Sequence, residues 1–594
     1  MIRHWTLSVA ATFLSALGAV GERVTERAAA EDPVRRGALQ AAYSPEVWRQ
    51  EKRIIDMHTH VSGKPEYFQK AIRVMDAAGI GLAVELGSGT VTHKPGERSE
   101  LERLQQLSLA TPGRFVHYML LDYDGWDRED WSERAAGQIE EGKRLGAAGL
   151  KEFKRLGLTL RDSQKSLIKI DDPKLDAVWR KCGELGMPVS IHVADPKAFW
   201  EPLNDKNERW PELRDHPAWW FGDSAKYPPR KELLAALSRV IGRHPKTTFV
   251  AVHFANNAEE LDWVDQELSK HPNMMADVAA RLPEVGRHAP EKVRALFVKH
   301  QDRFVFGSDF MVSNRYILGS AGDQERPTDQ DAYLFFEKSW KFFETDDRDW
   351  VHMTPIQGDW TISSVHLPPE VLRKIYFDNA RKLLAKSWPK PVMHAARVNQ
   401  DFQPDGQLND EAWKSATPVR LEYSLAEATA VPDVSTEVKV LWSDQFLYLA
   451  FEAPFSELKM ATSPGSQERF GLWDDDVVEA FIGPDPDKPN AYSEYEWAPN
   501  GEVLDLKLDL PEKDFAWSSQ MESAVSIDRP SKLWRTEVRI PLKSISSTLP
   551  KAGTRWRLNL YRHDNAHKVF LAWNPTLTRT AHTPEMFGWL QFSD

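Results

Sequence analysis

Between residues 53 and 388, short apolar runs alternate with segments whose apolar positions recur every three or four residues. A strand buried on both faces reads as an apolar run, and the helix covering it as a one-sided stripe, so this rhythm predicts a parallel sheet with crossover helices. Eight strands are drawn at 53–57, 81–86, 115–122, 147–153, 188–193, 247–254, 273–278 and 303–310. Phe68, Ile72, Met75 and Ala78 form the first helical stripe; Pro369 opens the last, which runs through Val371, Leu372, Ile375 and Tyr376. Eight such pairs predict a closed α/β (β/α)8 TIM-like barrel with its reactive residues at the C-terminal ends of the strands. A doubly wound open sheet is the alternative, and it would keep the first and eighth strands apart. The long connections 194–229 and 311–368 are predicted lids. The first carries Phe199, Trp200, Trp210, Trp219, Trp220, Phe221 and Tyr227, which either line a pocket or pin the lid down.

Beyond residue 388 the helical period disappears. Pro389-Lys390-Pro391 reads as a stiff linker. Thr436, Val438, Val440 and Trp442 alternate towards Ser443-Asp444-Gln445, and a second run returns from Phe446 to Phe451 as a hairpin. Ser493 to Trp497 leads through Pro499-Asn500-Gly501 into Val503, and 534–540 and 556–561 alternate again, which predicts an all-β antiparallel sandwich.

Length and charge sharpen this division. The 594 residues exceed one ordinary core. The partition is an export signal over 1–21, an N-terminal segment over 22–50 that starts with a charged, disordered stretch, the barrel over 51–388, a linker over 389–394 and the sandwich over 395–594. Arg3 and His4 precede an apolar run too short to span a bilayer, so the expectation is export, to the periplasm or outside the cell, without a stable membrane span. A net charge of −12 with both signs scattered excludes a polyanion such as nucleic acid as partner. Cys182 is the only cysteine, so no intrachain disulfide forms. It falls on the stripe Leu175, Val178, Trp179, Cys182, Leu185 and is expected to be a packed, inert thiol.

Candidate chemistry concentrates at the strand ends. Ile54-Ile55-Asp56-Met57-His58-Thr59-His60 ends a strand with two imidazoles on one face, since residues two apart share a side. Glu85, Lys151, His192, His253, Asp277 and Asp309 sit in or just after strands two and four to eight. His58, His60, His192 and Asp309 supply nitrogen and oxygen donors for one divalent cation with a position left for water. Arg281, just beyond strand seven, is placed to hold a substrate carboxylate bidentately. Asn256 and Asn257, which follow His253, and the run Asn207-Glu208-Arg209 in the lid either face substrate or serve as structural salt bridges and loop anchors.

With Pro188-Val189-Ser190-Ile191-His192, Phe249-Val250-Ala251-Val252-His253, Phe306-Gly307-Ser308-Asp309 and Tyr376-Phe377-Asp378-Asn379-Ala380-Arg381 added, residues 51–388 resemble the metal-dependent amidohydrolase superfamily. The similarity is to its amidohydrolase-related branch, which also contains decarboxylases and lactonases. The resemblance implies one metal, usually zinc, on His58, His60, His192 and Asp309, with His253 as acid/base or polariser of the substrate oxygen and Asp309 able to take a proton. Together with the expected export signal it gives an exported hydrolase of an amide, ester or lactone, which the C-terminal domain would tether to a glycan or glycan-derived substrate. A metal-dependent non-oxidative decarboxylase and a catalytically silent glycan-binding protein remain as alternatives. In the two-metal branch a strand-four lysine is carboxylated and bridges two cations, and Lys151 in Gly149-Leu150-Lys151-Glu152-Phe153 fits that position.

Residues 395–594 resemble a family 9 carbohydrate-binding module. The resemblance rests on Asp410-Glu411-Ala412-Trp413, the run Trp473-Asp474-Asp475-Asp476-Val477-Val478-Glu479, Pro499-Asn500-Gly501 and Trp573-Asn574-Pro575. It implies carbohydrate binding, with Trp473, Trp497, Trp517, Trp534 and Trp573 available either to stack on sugar or to fill the core. Asp474-Asp475-Asp476 offers oxygen donors for calcium, or is solvated charge.

Overall fold

A computed structural model describes residues 44–594, apart from 109–110, 112, 323, 388–389, 427, 429, 462–467 and 577. The expected export signal at 1–21, the charged stretch expected after it and part of the linker therefore lie outside the described residues. No helix among those described is long and apolar enough to cross a membrane.

The N-terminal half is an α/β domain. Its strands are β1 (Ile54–Val61), β2 (Ile80–Glu85), β3 (Phe115–Leu120), β4 (Gly149–Glu152), β5 (Val189–Ile191), β6 (Phe249–Ala251), β7 (Met274–Asp277), β8 (Phe304–Val305), β9 (Phe310–Val312) and β10 (Tyr316–Leu318). The sheet runs in the order β10-β9-β1-β2-β3-β4-β5-β6-β7-β8, and β1 to β8 pair in parallel. Helices such as Pro65–Ala78, Trp131–Arg144 and Arg230–Arg243 bury one apolar stripe each against it. Cys182 is fully buried on the helix Asp176–Leu185, and burial pushes its thiol up, as expected of a packed sulfur.

The expected uninterrupted barrel is corrected in one respect: the sheet curls but its ladder is not fully closed. The eighth strand breaks, so β8 pairs only with β7, while β9 pairs with β1 and with its hairpin partner β10 and not with β8. Across that seam two backbone bonds remain, Met57 N–H to Phe306 O (2.9 Å) and Asp309 N–H to His58 O (2.9 Å). The physical reason is the turn Gly307-Ser308-Asp309, where Asp309 takes φ 59°, a conformation no strand residue holds. The long connection after Asp309 is also more ordered than a lid loop. It forms the hairpin β9–β10, the helix Asp329–Glu344 begun by a Thr328/Asp331 capping box, and a small pair β11 (Trp350–Val351) and β12 (Thr361–Ile362).

The C-terminal half is β-rich. It comprises β13 (Val392–Arg397), β14 (Val419–Leu421), β15 (Tyr423–Ser424), β16 (Thr436–Trp442), β17 (Phe446–Pro454), β18 (Val477–Gly483) and β19 (Ala491–Trp497). There follow β20 (Val503–Asp509), β21 (Glu512–Asp514), β22 (Glu522–Asp528), β23 (Leu533–Pro541), β24 (Arg555–Asp564), β25 (Val569–Ala572) and β26 (Gly588–Phe592). The hairpins expected at Ser443–Gln445 and Pro499–Gly501 are present as β16–β17 and β19–β20. Two separate stacked sheets are not. One continuous curled path runs β21-β20-β19-β18-β24-β26-β13-β16-β17-β23-β22, because β13 pairs with β26 through residues 392–395 and with β16 through 396–397.

The two halves touch at the end of the α/β sheet opposite its reactive face. Tyr423 packs with the interior cluster that holds Ile55, Leu82, Val116 and Met275, and its ring lies 5.9 Å from that of Phe377. Arg53 donates to Glu422 (3.0 Å), and the Arg381 guanidinium stands 5.6 Å over the Tyr423 ring.

Candidate metal centre

The side chains that could hold a metal converge at the C-terminal ends of β1, β4, β5, β6, β7 and β8. How the histidines of β1 come to face inward depends on a register break. Ile55 and Met57 belong to the interior apolar cluster, so strict alternation would turn His58 and His60 outward. Pairing with β2 shifts between Asp56 and Thr59, and this irregularity reverses the parity. Asp56 holds the bend: its carboxylate accepts from His58 N–H (3.0 Å), Ser308 N–H (3.0 Å) and Ser308 Oγ–H (2.5 Å).

His58 Nδ1–H donates to Asp277 Oδ2 (2.7 Å), which leaves Nε2 as a bare lone pair. That Nε2 and the Nε2 of His60 each stand 3.5 Å from Asp309 Oδ1, too long for a hydrogen bond and suited to two donors sharing a cation with that oxygen. His253 Nδ1–H donates to Ala279 O (2.9 Å), again freeing Nε2. The ligand atoms of His58, His253 and Asp309 all lie within 4.8 Å of one another, and this buried triple is the candidate metal site. The His253 ring lies 4.9 Å from that of His58 and 4.3 Å from that of His192. His192 itself is outside the triple. Its buried Nε2 has no hydrogen-bond partner and looks towards Asp195 Oδ1 at 3.3 Å.

Backbone strain fixes His253. Residues 253–256 all take φ between 56° and 59°, four consecutive left-handed positions without a glycine. Asp277 Oδ1 accepts from His253 N–H (2.6 Å), and Asn256 Oδ1 from Val193 N–H (2.8 Å), so the strained run is tied to β7 and to the end of β5. Asn256 is thus a structural anchor. Asn257 is another, accepting from Arg230 at 2.9 Å, while Arg209 is buried against Glu212 and Glu284.

Electrostatics suit neutral imidazole ligands. Desolvation, with the Lys151 charge second, pushes His60 down to about 3 and holds His58 well below the usual histidine range. Burial likewise brings His192 down to about 4 and His253 well below its ordinary value. Burial also drives the carboxyls up, Asp277 to about 6 and Asp309 to about 7, a cost that a bound cation would offset. Free Nε2 lone pairs, an inward carboxylate and a carboxylate behind His58 fit a divalent metal such as zinc.

These groups open into a cavity of about 250 Å³ lined also by Lys151, Lys154, Arg281, Trp219, Phe199 and Met311. Of the seven lid aromatics only Phe199 and Trp219 reach it. Trp200 and Trp220 instead donate to Pro228 O and Glu201 O and pin the lid. Arg281 is buried at the rim, 3.6 Å from Asp195 Oδ1. Two participants escaped the motif reading: Asp277 as the partner of His58, and Asp195, which meets Lys154 (2.5 Å), His192 and Arg281. Asp277 was visible as a polar residue in an apolar strand. Asp195 carried no signal, because only the fold brings its three partners together. Glu85, the other strand-end carboxylate, accepts from Val61 N–H (2.5 Å) and Gly87 N–H (2.7 Å) and serves the backbone.

A family model described as amidohydrolase matches residues 55–386, more than half of the chain. The chain belongs to the amidohydrolase family. Its amidohydrolase domain is followed by a domain matching, over residues 405–594, the model described as carbohydrate family 9 binding domain-like. An "Extracellular protein" of Arthroderma benhamiae is 25% identical over 179 residues, which are 27% of this chain and 80% of that protein. Among solved structures, a family 9 carbohydrate-binding module from Caldicellulosiruptor kristjanssonii in complex with glucose is 17% identical, covering 34% of this chain and 96% of that one, at a TM-score of 0.27. The 4-oxalomesaconate hydratase of Rhodopseudomonas palustris is 15% identical, covering 56% and 95%, at a TM-score of 0.32.

In the carbohydrate-binding-like domain the tryptophans divide. Trp497 and Trp534 are fully buried, Trp573 nearly so and Trp517 half-buried, whereas Trp473 is exposed. Trp473 and Phe515 both touch the exposed Phe470, with ring centres 5.0 and 5.2 Å away. The expected calcium run does not converge. Asp475 pairs with Arg469, and the buried Asp476 accepts from Lys459 N–H and Asn565 N–H. Among the described residues the one group with metal-ligand spacing is His58, His253 and Asp309.

Proposed function

We propose that the protein is an exported metal-dependent hydrolase, most readily zinc-loaded, acting on an amide, ester or lactone of glycan origin. The observation that carries this reading is the convergence of His58, His253 and Asp309, with Asp277 behind His58, inside a cavity at the C-terminal ends of the strands. In it His58, His60, His192 and Asp309 hold the metal, which when bound would polarise a carbonyl and bring a water's pKa towards neutrality. His253, its Nδ1–H fixed on Ala279 O, offers Nε2 to take the proton released as water attacks and to return it to the leaving group. Arg281 holds an acidic group of the substrate at the rim. Asp277 keeps the His58 tautomer and ring plane.

The tight triple favours a second assignment in which His253 is itself a ligand. Metal content of His253→Asn separates the two. The carbohydrate-binding-like domain is read as a glycan-targeting unit whose contact surface is the exposed Phe470–Trp473–Phe515 cluster. The extracellular description of the Arthroderma protein accords with export.

The test is hydrolysis by the metal-loaded full chain of a panel of lactones, esters and N-acylated sugars. Appearance of a new carboxylate with an alcohol or amine, abolished by chelation and restored by zinc, supports the reading. Carbon dioxide release instead would make the protein a decarboxylase, and glycan binding without any turnover would make the α/β domain catalytically silent.

A further inference from the structure

Lys151 stands on β4, paired across to Leu120 on β3 and Ser190 on β5. Its neighbour Leu150 joins the core under the helices, and Lys151 faces the opposite way, into the cavity of the metal centre. It is 1% exposed, and its Nζ has neither a hydrogen-bond acceptor nor, among the described residues, an ion-pair partner within 4 Å. The Phe153 ring lies 5.2 Å away, and the carboxylates of Asp277, Asp309 and Glu152 act on the amine only through space, beyond ion-pair distance. The other basic groups differ. Lys154 is taken by Asp195 at 2.5 Å, and Arg281 spends one nitrogen on Ala280 O. A buried amine with no acceptor destabilises the fold, and a chain that keeps one at the wall of a reactive cavity keeps it for a ligand.

We propose that Lys151 is the substrate anchor of the metal centre, binding an anionic oxygen next to the carbonyl that is attacked. The substrate is thereby an acid as well as an ester, amide or lactone: one carboxylate oxygen lies on Lys151 while the reacting carbonyl faces the metal. This rests on the metal-hydrolase reading of the site and names the substrate class within it.

The probe is the full chain loaded with cobalt(II), whose visible absorption reports any oxygen donor entering the metal's shell, titrated with acetate, malonate and the mono-amide of malonate. Malonate is expected to bind about tenfold or more tightly than its mono-amide, the worth of one charge-assisted hydrogen bond. Lys151→Met should erase that preference and leave acetate affinity within about twofold. Lys151→Arg should keep part of the preference, which guards against a misfolded methionine variant. Equal affinity of wild type for malonate and its mono-amide overturns the proposal, as does a carboxylated Lys151 with two metals per chain. Failure of acetate to perturb cobalt at all would instead overturn the metal-centre reading beneath it.

Discussion

Replacing Asp277 by asparagine isolates what a residue that touches no metal does for the centre. Asp277 Oδ1 accepts from His253 N–H (2.6 Å) and Ala279 N–H (3.2 Å), and the amide oxygen of asparagine can keep both bonds. Its other oxygen, 2.7 Å from His58 Nδ1, becomes an NH2 that cannot accept. His58 must then move its proton to Nε2, the atom aimed at the metal position, or leave a donor facing a donor. Loss of a carboxylate behind a ligating histidine costs about 10- to 100-fold in metal affinity, or about 1.4 to 2.7 kcal/mol. Metal-induced stabilisation at saturating zinc should fall by the same amount. Without metal the variant should melt at or slightly above wild type, because burial already pushes the Asp277 carboxyl up to about 6 and asparagine removes that cost. The assay is zinc competition against a chromophoric chelator, with thermal unfolding of both proteins in chelator and in zinc. An affinity within about threefold of wild type, or a large loss of metal-free stability, would falsify the assignment of Asp277 as the orienting partner of a ligand.

The remaining expectations are each tested by one comparison. His253→Asn should retain metal and lose about two to four orders of magnitude in turnover, as an acid/base residue does; metal loss measured by elemental analysis makes it a ligand instead. Tyr423→Ala opens the contact beneath the α/β sheet and should cost about 2 kcal/mol or more by urea unfolding, and a chain ending at residue 386 should be destabilised in the same way; unchanged stability of both would show that the halves fold independently. In the C-terminal domain burial raises Glu496 and Glu479 well above the carboxylate range and Glu494 to about 7, so the folded state binds more protons than the unfolded one. The stability that Glu494 contributes is complete below its unfolded value near 4.5 and is lost as pH rises through about 7. Glu494→Gln should therefore gain on wild type between pH 5 and about 8 in thermal melts, and a pH-independent difference would count against it. Trp473→Ala should weaken retention on glycan without changing turnover of a small soluble substrate; equal loss of both would tie that residue to folding.

The sequence by itself determined the element types, their order and the chemical inventory. Period-two and period-3.6 patterns are local consequences of backbone geometry, so the parallel strands, the hairpins β16–β17 and β19–β20 and the histidines at strand ends were legible without any contact being known. Closure was not legible. The break of the last strand at Gly307–Asp309, and the crossing of β13 from one half of its sheet to the other, are choices of pairing between segments far apart in the chain. Which face His58 and His60 present was also decided in three dimensions. Alternation from Ile55 and Met57 would have sent both outward, and the reversal comes from a register break held by Asp56 against Ser308, 252 residues away. The same holds for Asp277 behind His58, for Asp195 among Lys154, His192 and Arg281, and for the unpaired Lys151 amine. A residue type states what a side chain can do, but its pKa, its free lone pair and its missing partner arise from neighbours that only folding supplies.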